Sequence, residues 1–132
     1  MSYIEKLAWI HIQDRKILIT LSKGKDTWYI PGGKREAGES DLQALIREIG
    51  EELTVQLFPE TVEFLGQFEG KAHEQPDGVN VRMICYSGDY QGTLKASGEI
   101  AEVRWFQHSE RHKCTTVDAT IFDWLKEKDL ID

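Results

Sequence analysis

Glu48, Glu51 and Glu52 stand at i, i+3 and i+4, a spacing that crowds three carboxylates onto one flank of a helix. Such a cluster offers hard oxygen ligands of the kind that suit Mg²⁺ or Mn²⁺, and the sulfur and imidazole ligands usual for zinc are absent beside it. Its position is unfavourable for stability. The acids fall in the last turns of the predicted helix, where the macrodipole favours a basic residue by about 0.3–1 kcal/mol. Like charges at these spacings add roughly 0.2–0.5 kcal/mol of repulsion per pair, and Gly50 costs about 1 kcal/mol relative to alanine. Arg47 can pair with Glu51 and relieves only part of this. Repeated local violations without a structural gain mark a functional site, with a cation as the missing partner. A solvated acidic flank is the ordinary reading of a Glu-Glu pair, so the surroundings must decide.

Those surroundings begin with the helix itself, predicted over residues 41–53. Ser40 and Gln43 have capping-box spacing, Asp41 suits the positive first turn, and Leu42, Leu45, Ile49 and Leu53 form one apolar stripe. Upstream, residues 7–12 and 16–22 read as strands and 27–30 as a short third, stopped by Pro31, Gly32 and Gly33. A charged, glycine-containing loop, 34–39, leads into the helix. Downstream, strands are predicted over 62–68 and 79–86, joined through the turn triplet Pro76, Asp77 and Gly78, and another over 102–106. A second helix runs from 117 to about 128 behind a Thr115 and Asp118 cap, burying Val117, Ile121, Trp124 and Leu125. With no repeat or linker, this order predicts an α/β protein of one domain, 1–132, in which helices pack on a single mixed sheet.

Composition narrows the ligands. The 132 residues carry a formal net charge of −7, which repels duplex nucleic acid over most of the surface. A small phosphate ligand would need a local positive charge, and a divalent cation is the simplest source. Cys85 and Cys114 lack metal-site spacing and read as reduced, buried thiols. The N-terminus lacks a signal-peptide layout and no apolar stretch spans a bilayer, so the expectation is a cytoplasmic protein without a membrane partner. A homodimer is admitted.

The stretch Gly33-Lys-Arg-Glu-Ala-Gly-Glu39-Ser-Asp-Leu-Gln-Ala-Leu-Ile-Arg47-Glu48-Ile-Gly50-Glu51-Glu52-Leu53-Thr54-Val55 closely resembles the Nudix box, G-x5-E-x7-R-E-U-x-E-E-x-G-U, at every charged position. Trp28, Pro31 and Gly32 before it, and residues 99–105 after it, are similar to the family as well. The resemblance implies a Nudix fold, an α/β/α sandwich with a mixed sheet and a loop-helix-loop metal site. It further implies metal-dependent hydrolysis of a diphosphate linkage in a nucleoside diphosphate derivative. By the same resemblance Glu48 and Glu52 are the principal Mg²⁺ ligands, Glu51 is a further ligand, and the Gly32 carbonyl completes the sphere. Glu48 or Glu99 takes the proton of the attacking water, Arg47 orients Glu48, and Glu39 helps fix the loop.

One position departs from the box. Thr54 stands where glycine permits a left-handed turn, and a β-branched residue disfavours positive φ, so an extended exit from the helix is expected there. Lys23, Trp28 and Glu39 are the candidate substrate residues: Lys23 as a phosphate contact against a solvated lysine, and Trp28, with Tyr29, as a base-stacking surface against simple packing. His73 lies in a long loop within ligand reach. Signatures for ADP-ribose, dinucleoside polyphosphates, NADH and coenzyme A are missing, which leaves a nucleoside triphosphate or a nucleotide sugar, triphosphates first. A non-catalytic nucleotide sensor on the same fold is the alternative, and the intact glutamate set argues against it.

Overall fold

Period-two alternation in the strands decides the layering. In the computed structural model, which describes residues 2–132, strand β1 (Ser2–Trp9) buries Leu7 and Trp9 on one side and Ala8 on the other. Strand β3 (Lys16–Ser22) does the same, with Leu18 on the first side and Ile17 and Ile19 on the second. The first side is covered by helix α1 (Asp41–Leu53) through Ala44, Leu45, Ile49 and Leu53. Helix α2 (Thr116–Glu127) covers the second through Val117, Ile121, Phe122 and Leu125. Two apolar cores result, one under each helix, which is the expected α/β/α sandwich.

The strands between them form two main sheets, a correction to the single sheet expected. Strand β5 (Gly32–Gly33) pairs antiparallel with β1, β1 pairs parallel with β8 (Val79–Ser87), and β8 pairs antiparallel with β7 (Glu63–Lys71). This sheet is mixed. In the second sheet β3 pairs antiparallel with β10 (Ile100–Phe106), β2 (Ile12–Gln13) and β4 (Trp28–Tyr29). The strand expected over 7–12 is the place where the two part. The Ile10 N–H donates to Tyr86 of the first sheet, while the His11 carbonyl accepts from Leu18 of the second, so the chain changes sheets between these residues. A small ribbon of β6 (Gln56–Leu57) and β9 (Tyr90–Gln91) lies beyond α1.

Both helix starts follow from sequence. Ser40 and Gln43 form the capping box, and Thr115 caps α2 by accepting from the Asp118 amide at 3.3 Å. The end of α1 does not follow. Thr54 sits at φ 60°, ψ 20°, in the left-handed region, so the extended exit expected there is overturned. Its neighbours Leu53 and Val55 are both buried, the Thr54 amide donates to the Gly50 carbonyl at 3.1 Å, and the Thr54 hydroxyl donates to the Thr93 carbonyl at 3.0 Å. Those contacts offset the strain of a β-branched residue at positive φ. Cys85 is buried as expected, Cys114 only half-buried, and both are free thiols. No helix among the described residues is long and apolar enough to cross a membrane.

Candidate active site

The α1 motif converges on a cavity of about 540 Å³ through two glycines. Gly32, at φ +146°, approaches β1 so closely that a Cβ would lie 1.9 Å from the Leu7 carbonyl oxygen. A Cβ on Gly33 would lie 2.5 Å from the Glu48 carboxyl carbon. The Pro31-Gly32-Gly33 stop is therefore what lets Glu48 and Glu52 reach the cavity wall, and the Gly32 amide donates to Glu52 Oε1 at 3.1 Å.

Arg47 organises the approach. Its Nε and one terminal nitrogen each donate to a Glu39 oxygen at 2.8 Å, and that same nitrogen reaches the Lys34 carbonyl at 3.0 Å. The other terminal nitrogen donates to Glu48 at 2.9 Å. One guanidinium thus ties the 34–39 loop to the helix and holds Glu48, while its grip keeps the Glu39 carboxyl down at about 2. Arg35 secures the far side of the loop through ion pairs to Asp41, at 2.7 Å, and Glu5.

Glu48 and Glu52 are one helical turn apart, about 40° around the axis. Both carboxyl groups line the cavity, and Glu99 completes its acidic end. Burial pushes the Glu52 carboxyl up to about 8, with Glu48 and Glu99 adding to the shift and the Gly32 amide opposing it. Burial raises Glu48 too, against the pull of Arg47. Glu51 is turned away: it is 59% exposed, reaches Arg47 at 3.4 Å, and does not line the cavity. Among the described residues no three His, Cys, Asp or Glu side chains stand close enough to hold an ion by themselves. A two-carboxylate oxygen site fits Mg²⁺, which characteristically takes one or two carboxylates and leaves other positions to water and substrate phosphate.

The candidate substrate residues fare differently. Lys23 is exposed and off the cavity wall; its amide donates to the Glu99 carbonyl at 2.8 Å, and Lys25, beyond the Gly24 turn, lines the cavity instead. Ser22 faces the cavity, and strand alternation sends Lys23 the other way. Trp28 is 8% exposed and packs on Phe106 at 5.1 Å, so it belongs to the core, while Tyr29 and His73 line the cavity 5.9 Å apart. Glu39 serves the loop and not the cavity.

Several cavity residues escaped sequence reasoning as site residues, Lys6 and Asp118 among them. Lys6 shares its strand face with Ala8, where burial lowers its pKa against the pull of Asp118. Asp118 is 1% exposed, and burial pushes its carboxyl up to about 7. Each carried a signal: a lysine two residues from Ala8 on a buried strand face, and an acid three, four and seven residues before Ile121, Phe122 and Leu125.

A family model for the NUDIX domain matches residues 7–125. The chain is 36% identical over 99 residues to the 8-oxo-dGDP phosphatase NUDT18 of Homo sapiens, a match covering 74% of this chain and 28% of that protein. It is 31% identical over 101 residues to the CTP pyrophosphohydrolase of Escherichia coli (strain K12), covering 73% of this chain and 70% of that one. The solution structure of the E. coli ORF135 protein superposes with a TM-score of 0.73 at 28% identity, over 96% of this chain and 92% of that one. The MutT protein from Methanosarcina mazei Go1 shares the fold, with a TM-score of 0.76 at 19% identity, over 97% and 96%. With its sequence matched over residues 7–125 and its box glutamates at the cavity, the chain belongs to the Nudix family, whose members act on phosphoanhydride bonds.

Proposed function

We propose that this chain hydrolyses a diphosphate linkage in a nucleoside diphosphate derivative, with nucleoside triphosphates the first candidates and nucleotide sugars the second. The observation that carries the reading is the Glu48–Glu52 pair at the cavity wall, two half-buried acids that have a single ion pair between them among the described residues, from Arg47 to Glu48. The two relatives, named as a phosphatase of 8-oxo-dGDP and a pyrophosphohydrolase of CTP, support nucleotide diphosphate chemistry.

Glu48 and Glu52 would hold Mg²⁺ or Mn²⁺, with Gly32 beside them and Glu51 acting through water from the flank. A bound divalent ion supplies positive charge for the diphosphate oxygens and acidifies water. Arg47 fixes the Glu48 carboxylate, and Glu48 or Glu99 accepts the proton of the attacking water.

A magnesium-supplemented screen of nucleoside triphosphates, nucleotide sugars and dinucleotides, read by phosphate or pyrophosphate release, tests the proposal. Turnover of at least one class, abolished by EDTA and by Glu52→Gln, is the expected result. Nucleotide binding without release of either product would instead make the protein a sensor.

A further inference from the structure

The two carboxylates that would meet a cation take their positions from different parts of the molecule. Glu52 is referred to the sheet, because the Gly32 amide of β5 donates to it at 3.1 Å. Glu48 is referred to the 34–39 loop, because the Arg47 guanidinium donates both to Glu48, at 2.9 Å, and to the Lys34 carbonyl, at 3.0 Å. How the two acids sit relative to each other therefore depends on whether that loop is fixed to the sheet. Arg35 fixes it. Its two terminal nitrogens fork, one donating to Asp41 in the first turn of α1 at 2.7 Å and the other to Glu5 on β1. Asp41 in turn accepts the Tyr86 hydroxyl of β8 at 2.7 Å, and Glu5 accepts Arg82 of β8 at 3.2 Å. One loop side chain thus meets β1 directly and β8 through both of its acids, while lying off the cavity wall itself.

Resting on the reading of Glu48 and Glu52 as the cation-holding pair, we infer that Arg35 is a positioning residue for the metal end. It locks the 34–39 loop to the sheet, so that Glu48, held from the loop, stays in register with Glu52, held from the sheet. The task calls for a planar fork, because carboxylates from two separate elements must be bonded at once. The acids keep company without it: Glu5 retains Arg82, and Asp41 retains Tyr86 and the positive end of the helix. All three side chains are partly exposed, so their ion pairs add little to stability, and loss of Arg35 falls on the loop and not on the fold. Charge and positioning also act in opposite directions. Taking one positive charge from a protein of net charge −7 would, by Coulomb attraction alone, tighten cation binding. Weaker binding is therefore the mark of lost positioning.

The test measures Mn²⁺ binding by calorimetry, and amide hydrogen exchange over residues 34–39 in metal-free protein. Arg35→Met should weaken Mn²⁺ binding by about tenfold, the size of loss expected when a group that orients a metal ligand is removed, and should speed exchange across the loop. The melting temperature should move by about 5 °C at most. In turnover of a nucleoside triphosphate, the Mg²⁺ concentration for half-maximal rate should rise by the same factor, with the nucleotide KM within about twofold of the wild type. Arg35→Lys keeps the charge without the fork and should fall between wild type and Arg35→Met. Arg82→Met takes a cation from the same Glu5 without touching the loop, so it should bind Mn²⁺ no more weakly than the wild type. Wild-type Mn²⁺ affinity in a folded Arg35→Met protein overturns the inference, as does an Arg82→Met protein that loses as much. Should Arg35→Met fail to fold, Arg35→Lys decides alone, and wild-type affinity in it again overturns the inference. If the wild type binds no Mn²⁺, the metal reading fails by itself, and loop exchange still decides: equal rates in wild type and Arg35→Met overturn the anchoring role.

Discussion

Half-buried Glu52 on α1 and fully buried Asp118 on α2 face one cavity from opposite helices, and removal from water pushes both carboxyl groups upward, to about 8 and about 7. Their company differs. Glu52 has Glu48 and Glu99 near, so one added cation would satisfy several acids at once. Asp118 stands in an apolar stripe with a single backbone donor and one orphan oxygen. Crowded acids demand charge, which a metal supplies without direction. A solitary acid in apolar company is instead held back from ionising.

The sharpest way to break this contrast is to neutralise each acid. Glu52→Gln should lower kcat/KM by about 10²–10⁴-fold for every substrate, comparable to removing an acid–base group, whereas Asp118→Asn should lower it less. Steady-state kinetics across several nucleotides would show it, and identical uniform losses would erase the distinction. Gly33→Ala comes next. Its Cβ would lie 2.5 Å from the Glu48 carboxyl carbon and must displace that group, so kcat/KM should fall by about 10–100-fold without a change in base preference.

Stability separates the two acids as well. Folded Glu52 keeps its proton to about 8 and Asp118 to about 7, while the unfolded chain releases them near 4.5 and 3.8. Between those values the native state binds more protons, so raising the pH costs stability. The contribution is whole below about 4 and lost once pH passes 8. In metal-free buffer the melting temperature should drop by on the order of 10 °C from pH 5 to pH 8. Glu52→Gln should remove part of that slope and leave the Asp118 part. Mg²⁺ should restore more at pH 8 than at pH 6, because its ligands must be deprotonated. A flat melting profile would contradict both burial arguments. The smallest effect concerns the helix end that carries Glu52: Thr54→Val keeps the left-handed strain and loses the hydroxyl bond to Thr93, costing about 1 kcal/mol in urea unfolding.

The α1 half of the site was legible because its information is local. Helical spacing places Glu48 and Glu52 together, capping residues set the start of the helix at Asp41, and the Arg47–Glu39 pair spans one short loop. Glu51 shows the limit of that reading, since spacing alone gave no reason to exclude it from the cavity. Lys23 and Trp28 show another: which face of a short strand meets the cavity depends on register with β10 and on where the Gly24 turn releases the chain. Thr54 shows a third, because a conformational preference worth about 1–3 kcal/mol yielded to burial on both sides and a hydroxyl bond from 39 residues away.

The sequence by itself determined the family, the layered α/β class, the α1 helix to the residue and the chemistry of its acids, because these rest on periodicity and on groups a few residues apart. Tertiary structure decided that the strands part into two sheets at Ile10 and His11. It decided that only two of the three glutamates face the cavity, and that Lys6 and Asp118, 112 positions apart, meet across it. No local rule reaches across that separation; the packing of α2 on the sheet of β1, β8 and β7 does, and it leaves Asp118 Oδ1 buried without a hydrogen-bond partner among the described residues.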